Sequence, residues 1–361
     1  MNSDLSREGF SRRGFLARSA GAAVAFGLAG GLTRRAWAGR RADTTFFEWK
    51  EISKGVHVAL NRTGDNLSLA GGNSTLYADP AGALLIDAKQ AIFGNTLKRE
   101  AAAYSPKIAR LVNTHHHFDH SGGNPCFDAT PLTMHANCQK RLLESGQSNV
   151  AQMDTKIAAL KAADLPGAQD AAADATKLFE NLANIHADAW APKDRTTTTG
   201  ETSTLKIAGR TLTLHHFGPG HTDNDVIIHD ADANIVIGGD VIFNGLHPYF
   251  DVAGGANSTS WLHSLAEIRK LCNDKTIVVP GHGPVGDVAM IDRLTEYFNK
   301  TVAAVKDAIK AGKPRDEVAK MSLPEYKDYI LAAALPYLWG GIYDEYASTK
   351  KDAKPGTSYG S

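Results

Sequence analysis

The six residues His115-His116-His117-Phe118-Asp119-His120 set four metal-competent side chains, His115, His117, Asp119 and His120, in the pattern H-x-H-x-D-H. Imidazole nitrogens and carboxylate oxygens together suit a divalent ion, and zinc is the first expectation, with iron or manganese as other candidates. His115 and His117 are two apart, so in an extended segment they face one side and can grip one ion. His116 between them is then expected to point the opposite way. Asp119 and His120 follow where the chain turns and can address a second position. Ser121-Gly122-Gly123-Asn124 supplies the backbone freedom for a tight turn into a helix. A solvated His-rich loop is the plainer alternative. The run is internal and flanked by apolar segments, which favours a metal site.

An ion takes about four ligands, so the cluster needs help from elsewhere in the chain. Three further segments deliver it. Thr211-Leu212-Thr213-Leu214 leads through Gly218-Pro219-Gly220 to His221. Asn234-Ile235-Val236-Ile237 leads through Gly238-Gly239 to Asp240, and Thr276-Ile277-Val278-Val279 leads through Pro280-Gly281 to His282. Ile108 to Val112 likewise runs into the histidine cluster. Each is an apolar run that ends on a metal-competent side chain after a short turn. Continuous apolar runs predict strands covered on both faces. Functional groups at strand ends are what layered α/β architectures offer. Asp240 is placed to bridge two ions.

Earlier in the chain, Gly55–Leu60, Ser74–Ala78 and Ala83–Asp87 read as strands, with Asp79-Pro80-Ala81-Gly82 as a turn. Residues 90–104 suit a helix. Asp87 ends a strand, where it can orient a ligand imidazole or cap its loop. Residues 139–189 are Ala-rich and helical, with Leu165-Pro166-Gly167 separating two helices. Val150, Met153, Ile157 and Leu160 mark one apolar stripe, and Leu178, Leu182 and Ile185 the other. This insertion reads as a cover on the sheet or as a lid over the cleft. A long helix is expected over about 287–311, with Ile291, Leu294, Phe298, Val302, Val305 and Ile309 on one face.

The chain has 361 residues, 43% of them apolar and 22% charged, with a formal net charge of zero. That is globular composition, and the balanced charge gives no reason to expect nucleic acid as a partner. Cys126, Cys138 and Cys272 make no disulfide framework. Of the three, Cys126 is the one expected near the metal. Arg12-Arg13, a Gly- and Ala-rich stretch from Ala20 to Leu32, and Ala36-Trp37-Ala38 look like a twin-arginine export signal cleaved after Ala38. The stretch is too short and Gly-rich for a stable membrane span. The expected organisation is a signal peptide over 1–38, one domain over 39–345 with the helical insertion at 139–189, and a flexible tail over 346–361. The export machinery would be a partner, and the location periplasmic or secreted.

The ordered motifs resemble those of the metallo-β-lactamase superfamily. After H-x-H-x-D-H come Gly220-His221-Thr222, then Gly239-Asp240, then Gly281-His282, and the resemblance spans about residues 50–300. It implies an α/β fold, the four-layer αββα metallo-β-lactamase sandwich. It implies that His115, His117 and His221 hold one ion, that Asp119, His120 and His282 hold a second, and that Asp240 bridges them. The chain departs from several branches. The segment Asp240-Val241-Ile242-Phe243-Asn244-Gly245 lacks the Gly-Cys-Gly-Arg of glyoxalase II and the persulfide dioxygenases. Phe243 stands where acyl-homoserine lactonases carry Tyr. B3 β-lactamases usually lack the bridging Asp, and flavodiiron proteins have Glu in place of His117. What the chain does resemble is a broad group of exported hydrolases of this fold. Their His-Thr-Asp-Gly-Asp, Gly-Asp-x-x-Phe-Asn-Gly and Pro-Gly-His-Gly-Pro segments are matched here by His221–Asp225, Gly239–Gly245 and Pro280–Pro284.

Two zinc ions would lower the pKa of a bridging water, and the resulting hydroxide would attack a carbonyl carbon. Asp119 is the candidate catalytic residue, taking the proton. The expected reaction is hydrolysis of an acyl bond in a small molecule: lactam, lactone, ester or thioester. A metallo-β-lactamase proper and a mono-iron oxygenase on the same fold are the alternatives. Asn244, His247 and Tyr249 follow the bridging Asp and are candidate substrate contacts. Asp223 and Asp225 read as carboxylates that steady the turn at His221. His57, His135, His186, His215, His216, His229 and His263 lack convergent neighbours and carry no expectation of chemistry.

Overall fold

The structure is a computed structural model and describes residues 45–61, 71–145, 153–181 and 188–352. The expected signal peptide lies outside them, as do Val150, Leu182, Ile185 and His186. Glu48–Ser53 (β1) and Val56–Leu60 (β2) form a hairpin whose turn is closed by Gly55 at φ 73°. Ser74–Tyr77 (β3) and Ala83–Ile86 (β4) continue antiparallel. The helix Gly94–Ala101 (α1) then crosses to Ile108–Val112 (β5), which pairs parallel with β4. A single helical turn, Phe118–Ser121 (α2), leads on to Leu132–His135 (β6) and Ala136–Ser145 (α3). Met153–Ala162 (α4) and Ala168–Asn181 (α5) form the insertion before Thr196–Thr199 (β7) closes a seven-stranded sheet in simple sequential order.

The second sheet has five strands. Thr202–Ile207 (β8), Arg210–His215 (β9), Ile227–Asp230 (β10) and Ile235–Phe243 (β11) meander antiparallel. The helix Ser258–Leu271 (α6), capped by the Asn257 side chain, crosses to Ile277–His282 (β12), parallel to β11. Ala289–Lys310 (α7), the short Arg315–Val318 (α8) and Leu335–Asp352 (α9) complete the chain's described part. No helix among the described residues is long and apolar enough to cross a membrane.

Alternating side chains sort these elements into four layers. Ala83 and Leu85 of β4, with Leu111 of β5, face α1, α4 and α5. Their neighbours Leu84, Ile86 and Val112 face the other sheet, against Leu214, Ile228, Ile237 and Val279. Ile227, Val236 and Val278, one residue out of phase, face Trp261 of α6, Phe298 of α7 and Trp339 of α9. Three apolar interfaces between helix, sheet, sheet and helix make the expected αββα sandwich. Each fully buried Leu, Ile or Val contributes ~1.5–3 kcal/mol relative to leaving it exposed.

Several details differ from the sequence reading. Asp240 does not sit beyond a strand: β11 runs unbroken through it to Phe243, with its register shifted at Gly239. The second insertion helix buries Ala168, Ala171, Ala172 and Ala175, while Leu178 is only partly covered. The helix turns its small residues inward because it packs close against α1. With Met153, Ile157 and Leu160 in the same core, the described helices of the insertion pack on the first sheet. Helix α9 extends to Asp352, so the segment from 346 to 352 is helical and the boundary drawn at 346 falls inside an element. Cys126 is buried against Gly94 in the first core, its thiol pushed up to about 12 by burial, and does not join the ligand cluster.

Candidate metal centre

The ligand atoms of His115, His117, His221 and Asp240 all lie within 4.8 Å of one another, and so do those of Asp119, His120 and His282. Both groups sit where the two sheets meet, with Asp240 inside β11 and His282 at the end of β12. His115 and His117 follow β5, and α2 carries Asp119 and His120 round the next turn. His221 lies on the turn after β9, which Asp225 clasps. The Asp225 carboxylate accepts from Thr222 N at 3.0 Å and from Thr222 Oγ1 at 2.6 Å. That is the turn-steadying role expected of it. Asp223 instead forms a bidentate pair with Arg141, at 2.9 and 2.6 Å.

The Asp240 carboxylate lies between the two groups. Its Oδ1 is 3.0 Å from His120 Nε2, and its Oδ2 is 3.3 Å from His282 Nε2, 3.5 Å from His221 Nε2 and 3.9 Å from His115 Nε2. Asp119 Oδ2 is 3.0 Å from His282 Nε2. Two glycines make this proximity possible. A Cβ on Gly281 would overlap Asp240 Oδ1, and one on Gly72 would overlap the His120 ring.

Each imidazole turns one nitrogen inward, and four have the other anchored to oxygen. His120 Nδ1 is 2.8 Å from Asp87 Oδ2, His117 Nε2 is 2.8 Å from Asp251 Oδ2, and His221 Nδ1 is 2.8 Å from the Tyr249 carbonyl. His115 Nδ1 is 3.0 Å from Thr114 Oγ1, which donates in turn to Asp87 Oδ2 at 2.8 Å. Outer oxygen partners of this kind fix ring orientation and raise ligand basicity. Asp87 therefore reaches both ligand groups, one directly and one through Thr114.

These residues fit a divalent cation. His115 Nε2 is buried with no hydrogen-bond partner. Ring nitrogens face each other at 2.9 Å (His117 Nδ1 and His221 Nε2) and at 3.2 Å (His120 and His282, both Nε2). Opposed lone pairs at that range need positive charge between or upon them. Burial opposes protonation of His120 and His282, yet Asp240 and Asp119 outweigh it. His120 is held well above the ordinary histidine range, and His282 is brought up to about 9. Burial favours the neutral form of Asp240, but the His282 and His120 imidazoles hold it well below the usual carboxylate range. On the other side, burial presses His221 down to about 4 and His115 well below its usual value, leaving neutral rings with lone pairs to offer.

A family model described as "Metallo-beta-lactamase superfamily" matches residues 68–282. The chain belongs to the metallo-beta-lactamase superfamily. It is 36% identical over 83 residues to a Bacillus subtilis (strain 168) protein called "Probable metallo-hydrolase YqgX", a match covering 23% of this chain and 39% of that one. It is 23% identical over 99 residues to metallo-beta-lactamase type 2 of Bacteroides fragilis, covering 27% of this chain and 40% of the relative. The matches thus span about two fifths of these curated relatives. A solved metallo-beta-lactamase from Pontibacter korlensis shares the fold with a TM-score of 0.51 at 17% identity, over 70% of this chain and 99% of that one. Divalent-metal binding goes with this superfamily's fold, and the histidine and aspartate groups described above provide for it.

Within this superfamily member, the expected substrate contacts separate. Tyr249 lies beside the cluster, its ring 5.9 Å from that of His117 and 6.3 Å from that of His221. His247 is buried in the outer helical layer, with Nδ1 2.8 Å from the Tyr297 hydroxyl, so it does not line the cleft. Asn244 donates to the Pro284 carbonyl at 2.8 Å and ties two loops together. The His116 ring sets Nδ1 3.0 Å from Asn224 Nδ2 and Nε2 3.8 Å from Asp251 Oδ2, away from the Asp240 side of the cluster. Sequence reasoning missed Asp251, Asn73 and Asn224. Asn73 donates to the Pro280 and Gly283 carbonyls, both at 2.9 Å, and so pins the His282 loop. Asn224 lies inside the His221–Asp225 segment, at the position where the related pattern has Gly, while Asn73 and Asp251 sit in no motif and are brought to the site only by the packed fold.

Proposed function

We propose that the chain is an exported, zinc-dependent hydrolase that cleaves an acyl bond of a small molecule outside the cytoplasm. The observation that carries this is the Asp240 carboxylate set between two complete ligand groups. His115, His117 and His221 would hold one ion, and Asp119, His120 and His282 the other. Bound there, paired ions supply Lewis acidity and a water acidified toward neutrality. The protein's own part is orientation and proton handling. Asp87 and Asp251 fix His120 and His117. Asp119, partly exposed and held ionised against burial by His120 and His282, turns Oδ2 toward His282 Nε2, and its carboxylate is the group placed to take a proton. No serine or cysteine nucleophile is required. Export rests on the Arg12-Arg13 and Ala36-Trp37-Ala38 signals in the sequence. A folded protein can be loaded with metal before such export.

The deciding experiment pairs metal analysis of the purified mature protein with chromogenic β-lactam, lactone, ester and thioester substrates. We expect two zinc ions per chain and chelator-sensitive hydrolysis of at least one substrate class. One iron per chain with oxygen consumption would replace this reading by an oxygenase. Hydrolysis undiminished in metal-depleted Asp240→Ala would overturn it outright.

A further inference from the structure

Exposed large apolar side chains are few among the described residues, and three of the five gather about the metal centre. These are Phe118, between His117 and Asp119, and Val252 and Tyr337. Tyr337 is 47% exposed and Val252 56%. Tyr337 belongs to α9, beyond the 68–282 segment that the family model matches. Its ring centroid lies 5.1 Å from that of Tyr249, at a 55° tilt. Gly341, one helical turn on and on the same face, meets Val252 so closely that a Cβ there would lie 2.9 Å from Val252 Cγ2. Tyr249 and Tyr337 therefore make one aromatic surface, and Val252 lies against the next turn of the same helix, beside Phe250. Tyr249 joins that surface to the His117 and His221 rings.

Water in contact with such a surface is released when a flat apolar group covers it. Aromatic rings in tilted contact leave faces and edges for a further ring, and such pairs contribute beyond the area they bury. We infer that Tyr249, Val252 and Tyr337 form a subsite for an aryl or similarly flat apolar group carried by the substrate, next to the scissile bond on the His117–His221 side. This rests on the hydrolase reading for the word substrate, but the subsite itself can be tested by binding alone.

The test is isothermal titration of the zinc-loaded protein with phenylacetate and with acetate, for the wild type, Tyr337→Ala and Tyr337→Phe. Both carboxylates can reach the metal centre, and only one carries the ring. We expect phenylacetate to bind ~10-fold more tightly or better, Tyr337→Ala to remove most of that advantage, and Tyr337→Phe to retain it. Once a hydrolysed bond class is found, the aryl-over-alkyl ratio in kcat/KM should fall in the same variant, through KM. Equal affinities, or a ratio that Tyr337→Ala leaves intact, would overturn the subsite. So would a dimer that Tyr337→Ala dissociates without changing the ratio, since the surface would then be an interface between copies. An aryl preference in a protein that hydrolyses nothing would sink the hydrolase reading and spare the subsite. Hydrolysis without aryl preference would do the reverse.

Discussion

Asp87 is a small residue with a wide reach. It sits at φ 62°, a left-handed conformation that a non-glycine residue adopts only when its surroundings demand it. The demand is visible: Oδ1 accepts the Thr114 N–H at 2.8 Å, while Oδ2 takes both the Thr114 hydroxyl and His120 Nδ1. Replacing it by Ala frees two ligand rings at once. Asp87→Ala is expected to weaken zinc binding ~10–100-fold, measured by competition with a chromogenic chelator. An affinity within twofold of the wild type would mean that the contact only caps the loop. Asp87 was legible in the sequence because it ends an apolar strand. Asp251 was not, since no spacing rule relates it to His117. The same limit misplaced His247. A histidine a few residues after Asp240 suggests a substrate contact, but burial beside Tyr297 decides otherwise.

Elements, more than single residues, bring the ligands within reach of one another. Segment 71–73 runs across the site, with Gly72 N donating to the Asp119 carbonyl at 3.0 Å and Asn73 N to the Gly281 carbonyl at 2.7 Å. A side chain at Gly72 must displace the His120 ring, because there is no room beside it. Gly72→Ala should therefore disturb the second ligand group and spare the first, dropping metal content from two ions toward one by elemental analysis. Retention of both ions would show that the ring can move aside without loss. The insertion carries a separate prediction. Ala172 is buried where α5 meets the first core, so Ala172→Leu overpacks the contact and should cost ~1–3 kcal/mol in denaturant unfolding. A neutral result would mean that the insertion rides loosely on the sheet. Leu178, from the apolar stripe in the sequence, packs against the same core, but the tightest burial on this helix falls to its alanines, which periodicity of large residues does not mark.

At the scale of the whole molecule, the two-sided burial of the strands was legible in their continuous apolar runs, while the four-layer order came from the family resemblance of the motifs. Less legible was how the end of β2 is tied to the loops of the candidate site, which depends on the buried Lys89. Lys89 is fully buried, and its ammonium donates to the Gly72 carbonyl at 2.6 Å and the Ala59 carbonyl at 2.8 Å. It thereby joins the end of β2 to the segment that crosses the site. Burial pulls its pKa down to about 7, against the opposing pull of Asp87, Asp119 and Glu100. In the unfolded chain the group keeps its proton up to about 10.4. Between those values the unfolded state binds more protons than the folded one, so this group makes stability rise with pH. Below the folded pKa the penalty for burying the charge is present in full, and above the unfolded pKa it is gone. Lys89→Met removes the titration and leaves two carbonyls without a donor, a loss that does not depend on pH. The Tm of the wild type relative to Lys89→Met should therefore climb from the acid end of that window to the alkaline end. Parallel curves would show that Lys89 keeps its proton when folded, held there by the carbonyls and carboxylates around it.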